Sequence, residues 1–194
     1  YTLHIVGSVD VYKRQTEEFA QNLRSIPINR ISMGAQTFSD ERLRFLHRRH
    51  TADEVETAVK RLRNVNIKNI SVDLMFGFPN ETLEEWKEDI ERLLALDIEH
   101  ISAYSLMYEE GTPLYRLLQA GKVKDMDDEL YRQMYDTLID RLAEAGYEQY
   151  EISNFAKLKV QTSNLKPQTS KFKVQSPFRS QHNSSYWHNV PYIG

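Results

Sequence analysis

Ser71 to Pro79, Ser-Val-Asp-Leu-Met-Phe-Gly-Phe-Pro, places a carboxylate inside a hydrophobic run. Val72, Leu74 and Phe76 alternate with Ser71, Asp73 and Met75, the period of a half-buried strand, and Gly77 with Pro79 ends it. An ionised Asp there must be paired or hydrogen-bonded, because burying it alone forces protonation or a large loss of stability. A ligand's hydroxyls or amine would satisfy Asp73, and so would a neighbouring Arg with backbone amides. Gln36 ends a second run, Ile31-Ser-Met-Gly-Ala-Gln, in which Gly34 would let a ligand approach the backbone. A strand-terminal Gln that bonds a loop is the plainer reading. Arg48 sits in His47-Arg48-Arg49-His50, which is solvated surface or, beside an anionic ligand, a carboxylate or phosphate clamp. His47 and His50 have the spacing of metal ligands but no third ligand nearby, so no metal site is expected.

The C-terminal string from Gln181 to Gly194 gathers His182 and His188 with Tyr186, Trp187 and Tyr192. An aromatic-flanked His can ligate a haem iron, and a loop folding back on the body accounts for the same residues. Trp86 and the Tyr131/Tyr135 pair fall at helical spacing and read as core rather than as a stacking surface for a cofactor.

These residues need elements to position them. Thr16 to Ile26 has a helical pattern and Arg30 to Gln36 that of a strand. Ser39 to Leu46 makes a short helix. Thr51 with Glu54 forms a capping box ahead of Val55, Ala58, Val59 and Leu62 on one helical face. The strand Ile70 to Phe76 follows, then a second capping box, Thr82 with Glu85, before the stripe Leu83, Trp86, Ile90, Leu93 and Leu94. A strand from His100 to Leu106, a turn at Gly111-Thr112-Pro113, a helix from Asp127 to Ala145 and a strand from Gln149 to Ser153 complete the series. Strands alternating with helices of this length indicate an α/β fold of parallel βαβ units, with polar groups near the strands' C-terminal ends. Four strands do not close a barrel, so part of a barrel or an open sheet is expected.

At 194 residues, 40% hydrophobic and 27% charged, the composition is that of a soluble globular protein with one sizeable core. No apolar run approaches the roughly 20 residues of a membrane-spanning helix. There is also no basic start followed by an apolar stretch, so neither a transmembrane segment nor a secretory signal is expected. With zero cysteines, this chain has no disulfide and no thiolate-held metal. The net charge of −3 hides an asymmetry: no Asp or Glu follows Glu151, while Lys157, Lys159, Lys166, Lys171, Lys173 and Arg179 do. That basic tail carries a tandem heptapeptide, Leu158-Lys-Val-Gln-Thr-Ser-Asn, Leu165-Lys-Pro-Gln-Thr-Ser-Lys, Phe172-Lys-Val-Gln-Ser-Pro-Phe. One apolar residue per heptad, with Pro167 and Pro177, argues against a coiled coil and for a low-complexity insertion. It lacks a nucleic-acid motif, and no nucleic-acid partner is expected.

The succession Asn29-Arg-Ile-Ser-Met-Gly-Ala-Gln-Thr-Phe, His47-Arg-Arg-His, Val72-Asp-Leu-Met-Phe-Gly-Phe-Pro, His100-Ile-Ser-Ala-Tyr-Ser-Leu, Tyr147-Glu-Gln-Tyr-Glu-Ile-Ser-Asn-Phe-Ala and His182-Asn-Ser-Ser-Tyr-Trp carries a resemblance. It is similar to the HemW-type haem chaperones, a branch of the radical S-adenosylmethionine family of oxygen-independent coproporphyrinogen III oxidases. The resemblance implies part of a radical S-adenosylmethionine partial (β/α) barrel, with S-adenosylmethionine, a [4Fe–4S] cluster and haem as cofactors. It also implies haem-accepting proteins as partners and a cytoplasmic location. Gln36, Arg48 and Asp73 match the family's S-adenosylmethionine contacts, and His182 its haem-associated residue. The family's Cys-x-x-x-Cys-x-x-Cys and the Gly-Gly-Gly-Thr-Pro loop that follows it are absent, so this chain supplies no cluster ligands. The expected organisation is a non-matching segment 1–15, a barrel portion 16–156, a basic insertion 157–180 and a His-Asn-x-x-Tyr-Trp segment 181–194. Such a chain reads as an internal fragment. Two other functions fit the residues: coproporphyrinogen III oxidation by radical decarboxylation, and a non-catalytic β/α binding module. Whether the chain is an enzyme stays open at this level.

Overall fold

The computed structural model describes residues 17–23, 28, 30–159 and 176–180. Its elements run α1 (Glu17–Leu23), β1 (Ile31–Gln36), α2 (Asp40–Phe45), α3 (Ala52–Asn64), β2 (Ile70–Phe76), α4 (Leu83–Ala95), β3 (His100–Ser105), α5 (Pro113–Gln119), α6 (Asp128–Glu144), β4 (Tyr147–Glu151) and β5 (Asn154–Lys157). Both capping boxes form: the Thr51 N–H donates to Glu54 at 2.7 Å and the Thr82 N–H to Glu85 at 2.9 Å. Asp127 caps α6 by accepting from the N–H groups of Glu129 and Leu130.

The sheet is open, in the order β1-β2-β3-β5-β4. β1, β2 and β3 are parallel, as βαβ units require, while β5 pairs antiparallel with both β3 and β4. Two expectations are corrected here. The run ending at Ser153 is a hairpin rather than one strand: the chain turns at Ile152-Ser153, where Ile152 is 65% exposed and the Ser153 carbonyl accepts from Ala103 N–H. The Gly111-Thr112-Pro113 turn opens a further helix, α5, with Thr112 as N-cap and Pro113 in its first turn, where a missing N–H costs nothing.

One face of the sheet carries the core. Met33, Ala35, Val72, Leu74, Phe76, Ile101 and Ala103 pack beneath Val55, Val59 and Leu62 of α3, Trp86, Ile90 and Leu93 of α4, and Met134, Leu138 and Leu142 of α6. Trp86 is fully buried, 5.1 Å from the Phe76 ring, and its indole N–H donates to the Met134 carbonyl at 2.9 Å. Tyr131 and Tyr135 complete that aromatic group around Phe76. Among the described residues, no helix is long and apolar enough to cross a membrane.

The basic insertion is anchored at its C-terminal end. Ser176 is buried; its hydroxyl donates to the Lys157 carbonyl at 2.6 Å and its N–H to Glu148 at 2.6 Å. The Arg179 guanidinium grips both Glu148 oxygens, at 2.8 and 2.7 Å. Residues 176–180 therefore belong to the packed body, although composition assigns them to the insertion. Because Ser176 returns to Lys157, the described residues that flank 160–175 are held together. Replacing residues 160–175 with a short glycine linker is expected to change unfolding free energy by less than ~1 kcal/mol, since loop-closure entropy varies slowly with length. Denaturant titration of the two forms checks this, and a loss of several kcal/mol would show that the excised residues hold the fold.

Candidate functional site

Parallel register fixes which side chains share the other face of the sheet. Gly34 pairs with Asp73, Asp73 with Ser102, and Ser102 with Asn154, so one row crosses β1, β2, β3 and β5. The residues between them, Met33, Val72, Leu74, Ile101 and Ala103, point into the helices, and the alternation turns the polar set to the opposite face.

Asp73 is half-buried at the middle of this row and accepts from the Ser32 hydroxyl at 3.4 Å. Gln36 adopts φ 69° where the β1–β2 register shifts. Its side chain folds back over Gly34: a Cβ there would lie 2.4 Å from the Gln36 amide nitrogen, so only glycine leaves that space. Gln36 and Asp73 are thus brought together on adjacent strands. Arg48 is half-buried in the connection after α2, where its N–H donates to Leu43, and it forms no described hydrogen bond or ion pair with either. His182 lies outside the described residues.

The motifs contain further members of the row that residue-by-residue reading passes over. The Ser102 hydroxyl donates to the Asn154 side-chain carbonyl at 2.9 Å, and the Asn154 amide donates to the Glu151 carboxylate. Ser102 stands two residues after His100, a spacing that signals a shared face, but only the strand pairing joins it to Asp73. Two carboxylates, an amide and hydroxyls on one surface suit a ligand rich in hydroxyl and ammonium donors.

At the other end of this face, a relay ties three strands to residues 176–180. His100 Nδ1 lies 2.8 Å from the Ser71 hydroxyl and Nε2 lies 2.7 Å from the Tyr150 hydroxyl, which accepts from Ser180 N–H at 3.0 Å. Arg30 donates to the Phe178 carbonyl at 2.8 Å. His100 is 1% exposed, and burial together with the Arg30 charge holds its pKa well below 6.5. An imidazole kept neutral when folded binds fewer protons than it does unfolded, so its stabilisation is present above pH 6.5 and is lost as pH falls towards the folded pKa. Nitrogen NMR is expected to show His100 still neutral well below pH 6.5. Charging of this ring nearer its ordinary value would contradict its burial.

His50 is also buried and 3.2 Å from the Ala35 carbonyl, while His47 is exposed at φ 53°, so the histidine pair does not converge. Among the described residues no group of three or more His, Asp or Glu is placed to hold a metal ion.

The sheet is open and mixed, with core helices on one side and a carboxylate-centred polar row on the other. The family model described as "Radical SAM superfamily" matches residues 2–93, a span that takes in residues 2–15, left outside by the motifs. In the solved coproporphyrinogen III oxidase (HemN) from Escherichia coli, a radical SAM enzyme, the likeness covers 77% of this chain and 34% of that one, with TM-score 0.67 and 22% identity. That likeness carries the fold alone. The chain belongs to the radical S-adenosylmethionine superfamily.

Within that superfamily it is of the HemW type. It is 37% identical over 172 residues to the heme chaperone HemW of Bacillus subtilis (strain 168), covering 89% of this chain and 41% of that protein. It is 32% identical over 179 residues to HemW of Lactococcus lactis, covering 92% and 42% respectively. A Danio rerio protein, radical S-adenosyl methionine domain-containing protein 1, mitochondrial, is 34% identical over 167 residues, covering 86% of this chain and 34% of its own length. The chain spans about two fifths of the length of the HemW proteins it matches.

Proposed function

We propose that this chain is the S-adenosylmethionine-facing part of a haem chaperone that binds haem and delivers it to acceptor proteins. The row Gly34–Asp73–Ser102–Asn154, with Gln36 folded over Gly34, is the observation that carries the ligand-facing half of this reading. Kinship with heme chaperones supports the haem half, which rests on His182. A cytoplasmic location is part of the proposal and is supported by kinship with bacterial HemW proteins, not by any feature of the fold.

The residues fit S-adenosylmethionine and do not fit an iron–sulfur cluster. Asp73 would accept from ribose hydroxyls or the amine, Gln36 would accept or donate beside it, and Arg48 would pair the carboxylate. S-adenosylmethionine, when bound, supplies a sulfonium whose reductive cleavage needs an electron donor. A [4Fe–4S] cluster of this class is held by thiolates, and this chain has zero cysteines, so no radical step is assigned to its residues. Anaerobic reconstitution is expected to leave the purified chain without cluster iron and sulfide; stoichiometric incorporation would overturn this.

Two titrations test the reading. Haem added to the 194-residue chain is expected to shift its Soret absorbance with saturable stoichiometry, and His182→Ala to weaken that binding. Calorimetry is expected to detect S-adenosylmethionine binding at one site. Failure of both in a folded chain would reduce the protein to a non-catalytic β/α module.

A further inference from the structure

At the C-terminal edge of the sheet, the loops after β1 and β2 are held from behind by two buried carboxylates that the ligand reading does not use. Glu81, 2% exposed, accepts from the N–H groups of Gly77 at 2.7 Å and Phe78 at 3.0 Å, through one carboxylate oxygen. Its other oxygen faces Arg42 of α2 at 3.5 Å. Arg42 also pairs Glu85 at 2.8 Å and lies 5.8 Å from the centre of the Phe78 ring. Asp89 of α4, 4% exposed, accepts from the Thr37 hydroxyl at 2.7 Å and from Phe38 N–H at 3.1 Å.

These contacts engage the segments that flank the three residues assigned to S-adenosylmethionine. Gln36 immediately precedes Thr37, Gly77 follows the Asp73 strand at φ +86°, and Arg48 is tied to α2 through its N–H bond to Leu43. Arg42 is the side chain that spans from α2 to the loop after β2. We infer that Glu81, with Arg42, is a positioning pair that locks the loop carrying Arg48 to the turn closing the Asp73 strand, and so sets the geometry in which both meet one ligand. This rests on the S-adenosylmethionine reading of Asp73 and Arg48.

The choice of a carboxylate supports the role. Burial pushes Glu81 up to about 7, the Arg42 charge and the Phe78 and Gly77 N–H groups opposing and Asp89 adding to the rise. Glu85 of α4 shares Arg42, and Tyr131 of α6 flanks Gly77. A group needed only for packing would be apolar at that position; an ionisable one both grips two amides and pairs a guanidinium, and loses the pair when protonated.

The test compares wild type, Glu81→Gln and Arg42→Gln in the 194-residue chain. Calorimetric titration with S-adenosylmethionine is expected to give roughly tenfold weaker binding for each variant, with little further loss in the double variant because the two act as one unit. Wild-type affinity is expected to fall as pH drops through about 7, with Glu81→Gln flat over the same range. Variants that lose stability yet keep wild-type affinity and its pH dependence would overturn the inference. If wild type binds no S-adenosylmethionine, the ligand reading fails, and the Gly77 and Phe78 amide resonances decide the pair separately. Resonances that titrate near pH 7 in wild type and not in Glu81→Gln uphold it; resonances that titrate in neither refute it.

Discussion

Replacing Asp73 with Ala is expected to weaken S-adenosylmethionine binding roughly tenfold to a hundredfold, about 1.5–3 kcal/mol, the worth of charge-assisted hydrogen bonds. The carboxylate is half-buried on the polar face and accepts from the Ser32 hydroxyl at 3.4 Å. On the reading proposed above, the donors of a bound ligand account for a carboxylate in a strand otherwise buried in the core. The competing explanation is electrostatic: Arg30, pressed down by burial, is supported in turn by Tyr150, Asp73 and Glu99. Were Asp73 there chiefly to compensate Arg30, its removal would leave that charge under-paired. The variant would then lose several kcal/mol of stability while its folded fraction bound normally. Calorimetric titration beside denaturant unfolding separates the two. Unchanged affinity in a destabilised variant would move Asp73 from the ligand site to the core.

Trp86→Ala is expected to cost about 3–5 kcal/mol, the range for truncating a buried aromatic side chain. Trp86 is fully buried where α4 meets α6, its ring tilted against that of Phe76, and its N–H reaches the Met134 carbonyl. Against a total stability of roughly 5–15 kcal/mol for a domain, such a loss leaves a large unfolded fraction at mild denaturant. Trp86→Phe keeps most of the ring contact and gives up only the hydrogen bond, so it is expected to cost about 1–2 kcal/mol. Circular dichroism through a denaturant series gives both values. A loss under about 1 kcal/mol for the alanine variant would mean that α4 and α6 close over the space, and that Trp86 does not hold them apart.

Helices and strands with strong periodicity were legible without coordinates, because their determinants are local. Thr51 with Glu54 and Thr82 with Glu85 announce helix starts through bonds spanning three residues, and both form. Val72, Leu74 and Phe76 announce which side of β2 is buried, and all three are. Asp73 stood out as the residue in need of a partner for the same reason: its neighbours in the chain state its environment. The turn at Ile152-Ser153 was not legible, since Gln149-Tyr-Glu-Ile-Ser alternates alike whether the chain continues or turns back, and the antiparallel pairing of β5 with β3 decides between them. The helix after Thr112 was hidden because Gly111 and Pro113 signal a turn as strongly as they signal an N-terminus. Period-two alternation says that Ser102 and Asn154 lie on a face but not opposite what, and register between residues 52 apart is a property of packing. Glu81 is the clearest case. In the chain it is a charged residue in a loop, unremarkable beside Asn80, and only the fold buries it and brings it within reach of Arg42 from α2. Residue types and local periods therefore determined which groups needed partners; the tertiary structure alone chose the partners, because hydrogen bonds and ion pairs between distant segments depend on distances that the order of residues does not contain.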